Sequence, residues 1–238
     1  MSDLAKQHAG EYAANLAEDG MLLGLGTGST AAWAITRLGE RMQKEELNVT
    51  GVATSRSSLE LARQAGIPLE DPSPGRIVDL YIDGADEADD LGRLIKGGGG
   101  ALLREKIVAI HSQRHIIVID PSKKVRVLGR AFPLPVEVVP FGHMVTARHI
   151  EGATRSRAVL RTVGGEVPFM TDNGGYVYDL HFESGIADPE TVAATLASLV
   201  GVVEHGLFLG LCDVLVTGTE EGVQTKEIDK TTAKTREA

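Results

Sequence analysis

The chain has almost no cysteine. Cys212 is the single cysteine among 238 residues, so no disulfide can form within the chain. Disulfides are typical of oxidising compartments, and the cysteine content gives no sign of one, so we expect a cytoplasmic location. Residues 2–6 include acidic and polar side chains where a signal peptide needs a basic start followed by an apolar stretch.

Basic residues are also fewer than acidic residues. The chain has 24 Lys and Arg residues against 33 Asp and Glu residues, which gives a formal net charge of -9. A surface of this sign repels nucleic acids and anionic membranes, so neither is expected as a partner. An anionic substrate would need a local basic pocket. No apolar run approaches the length of a membrane span.

The first half of the chain contains a repeated alternation of predicted strands and helices. Each of its apolar runs is followed by a polar loop and then by a helical pattern or a turn. The runs cover residues 21–25, 49–53, 77–82 and 115–119. Near-continuous apolar strands that alternate with helices indicate an α/β fold, with a Rossmann-like parallel sheet covered by helices on both faces.

The alternation of strands and helices ends near Pro133 and Pro135, and these two prolines suggest a domain boundary. The segments that follow are predicted as strand 136–139, helix 141–151, strand 158–163, strand 175–182, helix 189–199 and strand 202–209. This is the order of a ferredoxin-like α+β domain, and residues 213–217 look like a strand that returns to the first sheet.

We therefore predict three parts. Residues 1–131 and 210–223 form the Rossmann-like catalytic domain, and residues 132–209 form the smaller ferredoxin-like domain. Residues 224–238 are a polar tail without an apolar face, which we expect to be frayed or disordered.

The segment GLGTGST, residues 24–30, is a glycine-rich turn between a strand and a helix. Such a turn can place amides and hydroxyls around a phosphate. A Walker loop would need lysine in place of Gly28, and the Rossmann fingerprint would need glycine in place of Ser29. An NADP site that uses Arg56 and a tight turn that binds nothing both remain open.

Two aspartates follow the apolar run 77–82. Asp83 comes directly at the predicted strand end, and Asp86 follows three residues later. Neighbouring carboxylates can separate their pKa values, so that one keeps a proton for delivery to a sugar oxygen. Solvated loop residues are the alternative, and for Glu87, Asp89 and Asp90 we expect an acidic surface patch.

Lys96 opens a run of four glycines before a helix. Amides of such a run can point at an oxygen that gains negative charge, although a flexible solvated loop has the same composition. Glu105, within the helix, is either a catalytic carboxylate or an exposed glutamate paired with a basic neighbour. Lys123 is either a phosphate contact or a surface cation. The seven histidines show no ligand spacing, so we predict no catalytic metal ion.

The motifs GLGTGST, DGADE, KGGGGALLREK, DPSK, FPLPVEVVP and TDNGG, in this order and spacing, resemble the A type of ribose-5-phosphate isomerase. The resemblance extends from Lys6 to about Gly222. It implies a cofactor-free interconversion of ribose 5-phosphate and ribulose 5-phosphate by a Rossmann-like domain with a smaller ferredoxin-like domain. It also implies a sugar phosphate as the partner molecule and a homodimer or homotetramer.

The resemblance also implies roles for individual residues. Glu105, in the REK of the glycine motif, corresponds to the general base. Asp83, Asp86 and Lys96 correspond to groups that open the sugar ring and stabilise the enediolate. The implied substrate contacts are Lys6, Thr27, Gly28, Ser29, Thr30, Asp83, Gly84, Ala85, Asp86, Lys96, Gly97, Gly98, Gly99 and Lys123.

One segment departs from the family pattern. Residues 206–212 lack the polar side chains expected after Phe208, which bears on local packing or oligomer contacts. Two other functions remain open from the residues alone, namely an NADP-dependent reductase and a domain that senses sugar phosphates.

Overall fold

The computed structural model describes residues 3–229, which fall into two compact units. The helices are α1 (Asp3–Ala14), α2 (Ser29–Lys44), α3 (Arg56–Gln64), α4 (Leu102–Ile110), α5 (His143–Thr154) and α6 (Pro189–Ser198), with a 3-10 helix at Pro121–Lys123. The strands are β1 (Leu22–Leu25), β2 (Thr50–Ala53), β3 (Val78–Gly84), β4 (Glu87–Ala88), β5 (Leu94–Ile95), β6 (Ser112–Ile119), β7 (Leu134–Val138), β8 (Arg157–Leu160), β9 (Thr162–Val163), β10 (Val167–Pro168), β11 (Tyr176–His181), β12 (Val202–His205), β13 (Leu207–Phe208), β14 (Val214–Thr219) and β15 (Gly222–Glu227). Within residues 3–229, no helix combines the length and the apolar character that a membrane crossing requires.

The first unit is built on a six-stranded sheet. Among the described residues it comprises 3–85, 104–123 and 210–229, and its strand order is β15-β14-β6-β3-β1-β2. Neighbouring strands from β14 to β2 are parallel, and β15 is antiparallel to β14. Every residue of β1 is buried, as the apolar run predicted. The Rossmann-like α/β prediction is confirmed.

The direction in which strands are added to this sheet reverses beside β1. From β1 the chain adds β2 on one side, whereas β3, β6 and β14 extend the sheet on the other side. Ligands of open α/β sheets bind outside the carboxyl ends of the strands at such a point. The Gly26 amide donates to the carbonyl oxygen of Ile82 at 2.9 Å, so the turn after β1 lies beside the end of β3.

The second unit contains the predicted ferredoxin-like arrangement. It comprises Asp86–Leu103 and Lys124–Leu209, and its main sheet has the antiparallel order β12-β7-β11-β8. The chain order β7-α5-β8-β11-α6-β12 is that of a split βαβ fold. Asp188 caps α6 by accepting the Thr191 amide at 3.1 Å, with Pro189 at the first helical position.

The second unit takes more of the chain than predicted. Residues 86–103 and 124–131 belong to it, because β4 and β5 pair with β13 in a three-stranded sheet. Glu87 is 1% exposed, and its carboxylate accepts the amides of Gly129, Ala131 and Phe132 at 2.6 to 2.8 Å. Asp89 is also buried, and its Oδ2 lies 2.7 Å from Nε of Arg93. The prediction of a surface patch was therefore wrong for both acids, whereas Asp90 is exposed.

The predicted polar tail begins inside a strand. β15 continues to Glu227 and pairs with β14 over its whole length, from Gly222 opposite Thr219 to Glu227 opposite Val214. Disorder was the wrong prediction for residues 224–227, because an edge strand needs backbone pairing more than an apolar face. Residues 230–238 of the predicted tail lie outside the described residues.

Candidate active site

Asp83 is a firmly anchored polar side chain at the carboxyl end of the first sheet. It ends the apolar part of β3 and is fully buried. Its Oδ1 accepts the amides of Thr27 at 3.0 Å and Gly84 at 2.7 Å. A Cβ on Gly26 would lie 2.6 Å from the Asp83 Cα, so the turn after β1 can approach this closely only with glycine. The carboxylate therefore has a fixed direction and donors for its charged form.

Tyr81 is bonded to Asp83 and lies within the electrostatic influence of Glu105. Its hydroxyl donates to Asp83 Oδ2, and its ring stacks on His115 with 4.3 Å between centroids. Burial, and after it the negative charges of Asp83 and Glu105, raise the pKa of Tyr81 well above its ordinary value near 10. Glu105, on α4, is 4% exposed. The first unit thus gathers two buried carboxylates around a tyrosine that stays protonated.

The glycine-rich turn lines a pocket of about 250 Å³. The lining residues are Gly26, Thr27, Gly28, Ser29, Ala32, Ile35, Ser57, Ser58 and Leu61. The Thr27 hydroxyl donates to Ser55 Oγ at 2.8 Å, and Gly28 has φ 103°, which favours glycine at this position. Because α2 begins at Ser29, its first amides and the positive end of its dipole border the pocket, which suits an anion.

Two of the three predicted lysine contacts, Lys6 and Lys123, belong to the first unit. Lys123 ends the 3-10 helix that follows β6, and its amide donates to the Asp120 carbonyl at 3.1 Å. Lys6 lies on α1 with its ammonium 3.9 Å from Asp3. The neighbouring Ala5 touches Gly218 near the end of β14. Lys6 and Lys123 thus both lie on the carboxyl side of the parallel strands.

Asp86 and the glycine run lie in the second unit. The Gly98 amide donates to Asp86 Oδ2 at 2.7 Å, and a Cβ on Gly98 would come within 2.6 Å of Asp86 Oδ1. Gly97 has φ 102°, a backbone conformation that favours glycine. The Gly98 amide, which we predicted to face a developing oxyanion, is therefore directed at Asp86.

Lys96 is a buried cation of the second unit. It is 2% exposed, and its ammonium lies 5.4 Å from the centroid of the Phe208 ring. Its amide donates to the Gly206 carbonyl at 2.9 Å. The face of an aromatic ring is a favourable neighbour for a cation, so Phe208 helps to hold the ammonium out of bulk water. This gives the apolar segment after residue 206 a definite role in packing.

The local sequence pattern did not predict Tyr81 as a residue of the site. It lies within an apolar run and resembled a core residue, yet it is two positions before Asp83, so both side chains point to the same face of β3. That spacing was the available signal. Among residues 3–229, no cluster of three or more His, Cys, Asp or Glu side chains is arranged to hold a metal ion.

Several known proteins similar to this chain are ribose 5-phosphate isomerases. A family model described as Ribose 5-phosphate isomerase A (phosphoriboisomerase A) matches residues 50–222. The Ribose-5-phosphate isomerase A of Thermomicrobium roseum is 47% identical over 236 residues, which is 98% of both chains. A structure of ribose 5-phosphate isomerase A from Methanocaldococcus jannaschii superposes with a TM-score of 0.88 at 39% identity, covering 94% of this chain and 98% of that one. The chain belongs to the ribose 5-phosphate isomerase A family.

A D-ribose-5-phosphate isomerase whose structure contains a bound small molecule is also similar to this chain. That D-ribose-5-phosphate isomerase, in complex with phospho-erythronic acid, has a TM-score of 0.89 and 36% identity to this chain. The match covers 94% of this chain and 97% of the other. Membership in the ribose 5-phosphate isomerase A family is thus supported over both units.

Proposed function

We propose that Glu105 is the general base and acid in the interconversion of D-ribose 5-phosphate and D-ribulose 5-phosphate through an enediolate. The observation that carries the proposal is the buried acid cluster of the first unit, where the charges of Glu105 and Asp83 both act on Tyr81. A nearly dry carboxylate is a stronger base toward a carbon acid than a solvated one.

The reaction moves one proton between adjacent carbons. Glu105 removes the proton from C2 of the open-chain aldose, so the C2–H bond breaks and its electrons form the enediolate. The same carboxyl then delivers a proton to C1, while the hydroxyl proton moves from O2 to O1. Reactant and product are isomers, so the balance needs no oxidant, reductant or cofactor.

Asp83 is proposed to open the furanose ring. Ring opening takes a proton from the anomeric hydroxyl and gives one to the ring oxygen, and a carboxyl group can do both. The amides of Thr27 and Gly84 fix one carboxylate oxygen, and the Tyr81 hydroxyl contacts the other. This anchoring favours a repeatable direction for the proton transfer.

The glycine-rich turn is proposed to bind the phosphate. Gly28 is the N-cap of α2, Ser29 and Thr30 begin its first turn, and the adjoining pocket has a volume of about 250 Å³. Lys123 and Lys6 would add positive charge. Because the phosphate takes no part in the chemistry, its binding energy serves to position the reacting carbons.

The remaining assignments follow the family resemblance. We propose that Lys96 and the amides of Gly97 and Gly99 stabilise the enediolate oxygens. The Gly98 amide instead donates to Asp86, which we propose takes part in proton transfer to hydroxyls. The desolvation of Lys96 supports a functional role, because a buried ammonium is costly to maintain. We further propose a cytoplasmic homodimer or homotetramer that acts in the pentose phosphate pathway.

The decisive test replaces Glu105 with glutamine, which keeps the size of the side chain but cannot accept the carbon-bound proton. We expect kcat to fall by ~10²- to 10⁴-fold in both directions. Exchange of the C2 proton with deuterated solvent, followed by NMR, should be lost together with turnover. Affinity for phospho-erythronic acid should change little, since the fold and phosphate contacts remain.

Glu60→Gln is the matched control, because Glu60 is an exposed glutamate on α3. The assay contains ribose 5-phosphate without NADP, which also separates isomerisation from reduction. Near-normal turnover in the Glu105→Gln protein would move the base to Asp83 or Asp86. Absence of turnover in the unmodified protein would reject the isomerase function itself.

A further inference from the structure

Arg161 is an ion-paired side chain of the second unit that the proposed chemistry does not use. It lies in the break between β8 and β9 and its side chain is 15% exposed. Its Nε donates to Asp179 Oδ2 at 2.9 Å, and its Nη2 donates to Asp179 Oδ1 at 2.5 Å. The guanidinium carbon is 5.6 Å from the centroid of the Phe169 ring. This two-point pairing with Asp179 fixes the plane of the guanidinium.

The remaining edge of the guanidinium contacts the glycine run. Arg161 Nη1 donates to the carbonyl oxygens of Gly97 at 2.9 Å and Gly98 at 3.0 Å. The Gly97 oxygen also accepts the Gly100 amide at 2.9 Å, which closes a turn. A Cβ on Gly100 would collide with the Phe169 ring. Arg161 and its aromatic neighbour thus contact this turn at both ends.

These bonds determine where the amides of the turn point. In a trans peptide the carbonyl and the amide hydrogen point in opposite directions, and the described residues contain no cis peptide. The Gly97 carbonyl faces Arg161, so the Gly98 amide points the other way, where it meets Asp86 Oδ2 at 2.7 Å. By the same geometry the Gly99 amide points away from Arg161.

We infer that Arg161 is a positioning residue for the reaction: it anchors two carbonyls of the glycine run so that the Gly98 amide orients Asp86 and the Gly99 amide is directed toward the substrate. This inference rests on the proposed function. Consecutive glycines lose more conformational freedom on ordering than any other residues, so this loop gains most from an external anchor. A cationic donor on a carbonyl also polarises that peptide and strengthens its amide as a donor.

The pairing with Asp179 indicates that Arg161 acts by orienting the glycine run and not by adding positive charge. Its carboxylate neutralises the guanidinium at hydrogen-bonding distance, so Arg161 adds little net charge to its surroundings. Lysine at this position would keep the charge but has no planar fork that reaches both Asp179 and the two carbonyls. Arg161→Lys therefore separates the effect of shape from that of charge.

The test compares Arg161→Met and Arg161→Lys with Arg157→Met, which removes an exposed guanidinium from β8. We expect Arg161→Met to lower kcat by about 10- to 100-fold while KM for ribose 5-phosphate changes by less than about 3-fold. Arg161→Lys should recover only part of the loss. Hydrogen exchange of the amides of residues 97–100 should accelerate in both variants, and Arg157→Met should match the unmodified protein.

Hydrogen exchange needs no substrate, so it tests the anchor even if the unmodified protein fails as an isomerase. If Arg161→Met does not fold, Asp179→Asn, which weakens the guanidinium anchor, is measured in the same way. A kcat within 2-fold of the unmodified protein overturns the inference, whether or not exchange changes. A loss of kcat with unaltered exchange at residues 97–100 overturns it as well, because the effect would then act by another route.

Discussion

At the scale of single residues, Tyr81 makes the clearest prediction about pH. Its pKa is raised in the folded protein, by burial first and then by Asp83 and Glu105. Below about pH 10 the hydroxyl is protonated in both the folded and the unfolded chain. Above that pH the unfolded chain releases the proton first. Stability associated with Tyr81 is therefore complete below pH 10 and is lost as the pH rises toward the folded pKa.

Tyr81→Phe should remove this pH dependence together with one hydrogen bond to Asp83. We expect a loss of about 1.5 to 3 kcal/mol in the free energy of unfolding at pH 8. The difference from the unmodified protein should then shrink between pH 10 and 11. Urea unfolding at several pH values measures both effects, with Tyr12→Phe, on the surface of α1, as the control. Parallel curves for the two proteins above pH 10 would contradict the prediction.

The residues at strand ends were the easiest part of the site to predict. Asp83 follows an apolar run, and the carboxyl ends of parallel strands lie at one edge of a sheet, so its placement follows from the pattern. The partners of Glu87 could not be predicted, because they lie 42 to 45 residues away in the chain. Arg161 was missed for the same reason, since it contacts carbonyls 63 and 64 residues away.

At the scale of elements, the turn from β1 into α2 depends on Gly26. A Cβ there would be 2.6 Å from the Asp83 Cα, which belongs to the backbone of β3 and cannot rotate away. We expect Gly26→Ala to cost about 1 to 3 kcal/mol of stability and to raise KM for ribose 5-phosphate. Thermal unfolding and steady-state kinetics measure the two effects.

Gly152 provides the matched control. It lies in α5, and a Cβ there has no neighbour within 4 Å. Alanine is the better helix former, so Gly152→Ala should be neutral or should stabilise the protein by about 0.5 to 1 kcal/mol. Equal changes in stability for Gly26→Ala and Gly152→Ala would show that the turn after β1 has room for a Cβ beside Asp83.

Elements without a strong apolar pattern were the hardest to predict. β15 has four exposed residues among its six, and only its pairing with β14 makes it a strand. The order β12-β7-β11-β8 was predictable, because its helices and strands carry clear apolar and capping signals. The break at Arg161, which splits one predicted strand into β8 and β9, depends on contacts that local sequence does not contain.

At the scale of the whole molecule, we expect activity without a metal ion. The proton transfers assigned to Glu105 and Asp83 need none, and the histidines of the sequence show no ligand spacing. Dialysis against EDTA should leave kcat and KM for ribose 5-phosphate unchanged within about 2-fold. Loss of turnover that Mg²⁺, Mn²⁺ or Zn²⁺ restores would refute this expectation.

The first unit is formed by separate segments of the chain, and this affects the order in which its strands can pair during synthesis on the ribosome. β6 pairs with β3 on one side and β14 on the other, and the segment that contains the whole ferredoxin-like arrangement is translated between β6 and β14. At 5 to 20 residues per second, the nascent β6 lacks one neighbour for roughly 5 to 20 s. An apolar strand edge left open this long can pair with other chains. We therefore expect substitutions that slow folding of the intervening segment to reduce the soluble yield before they change any kinetic constant.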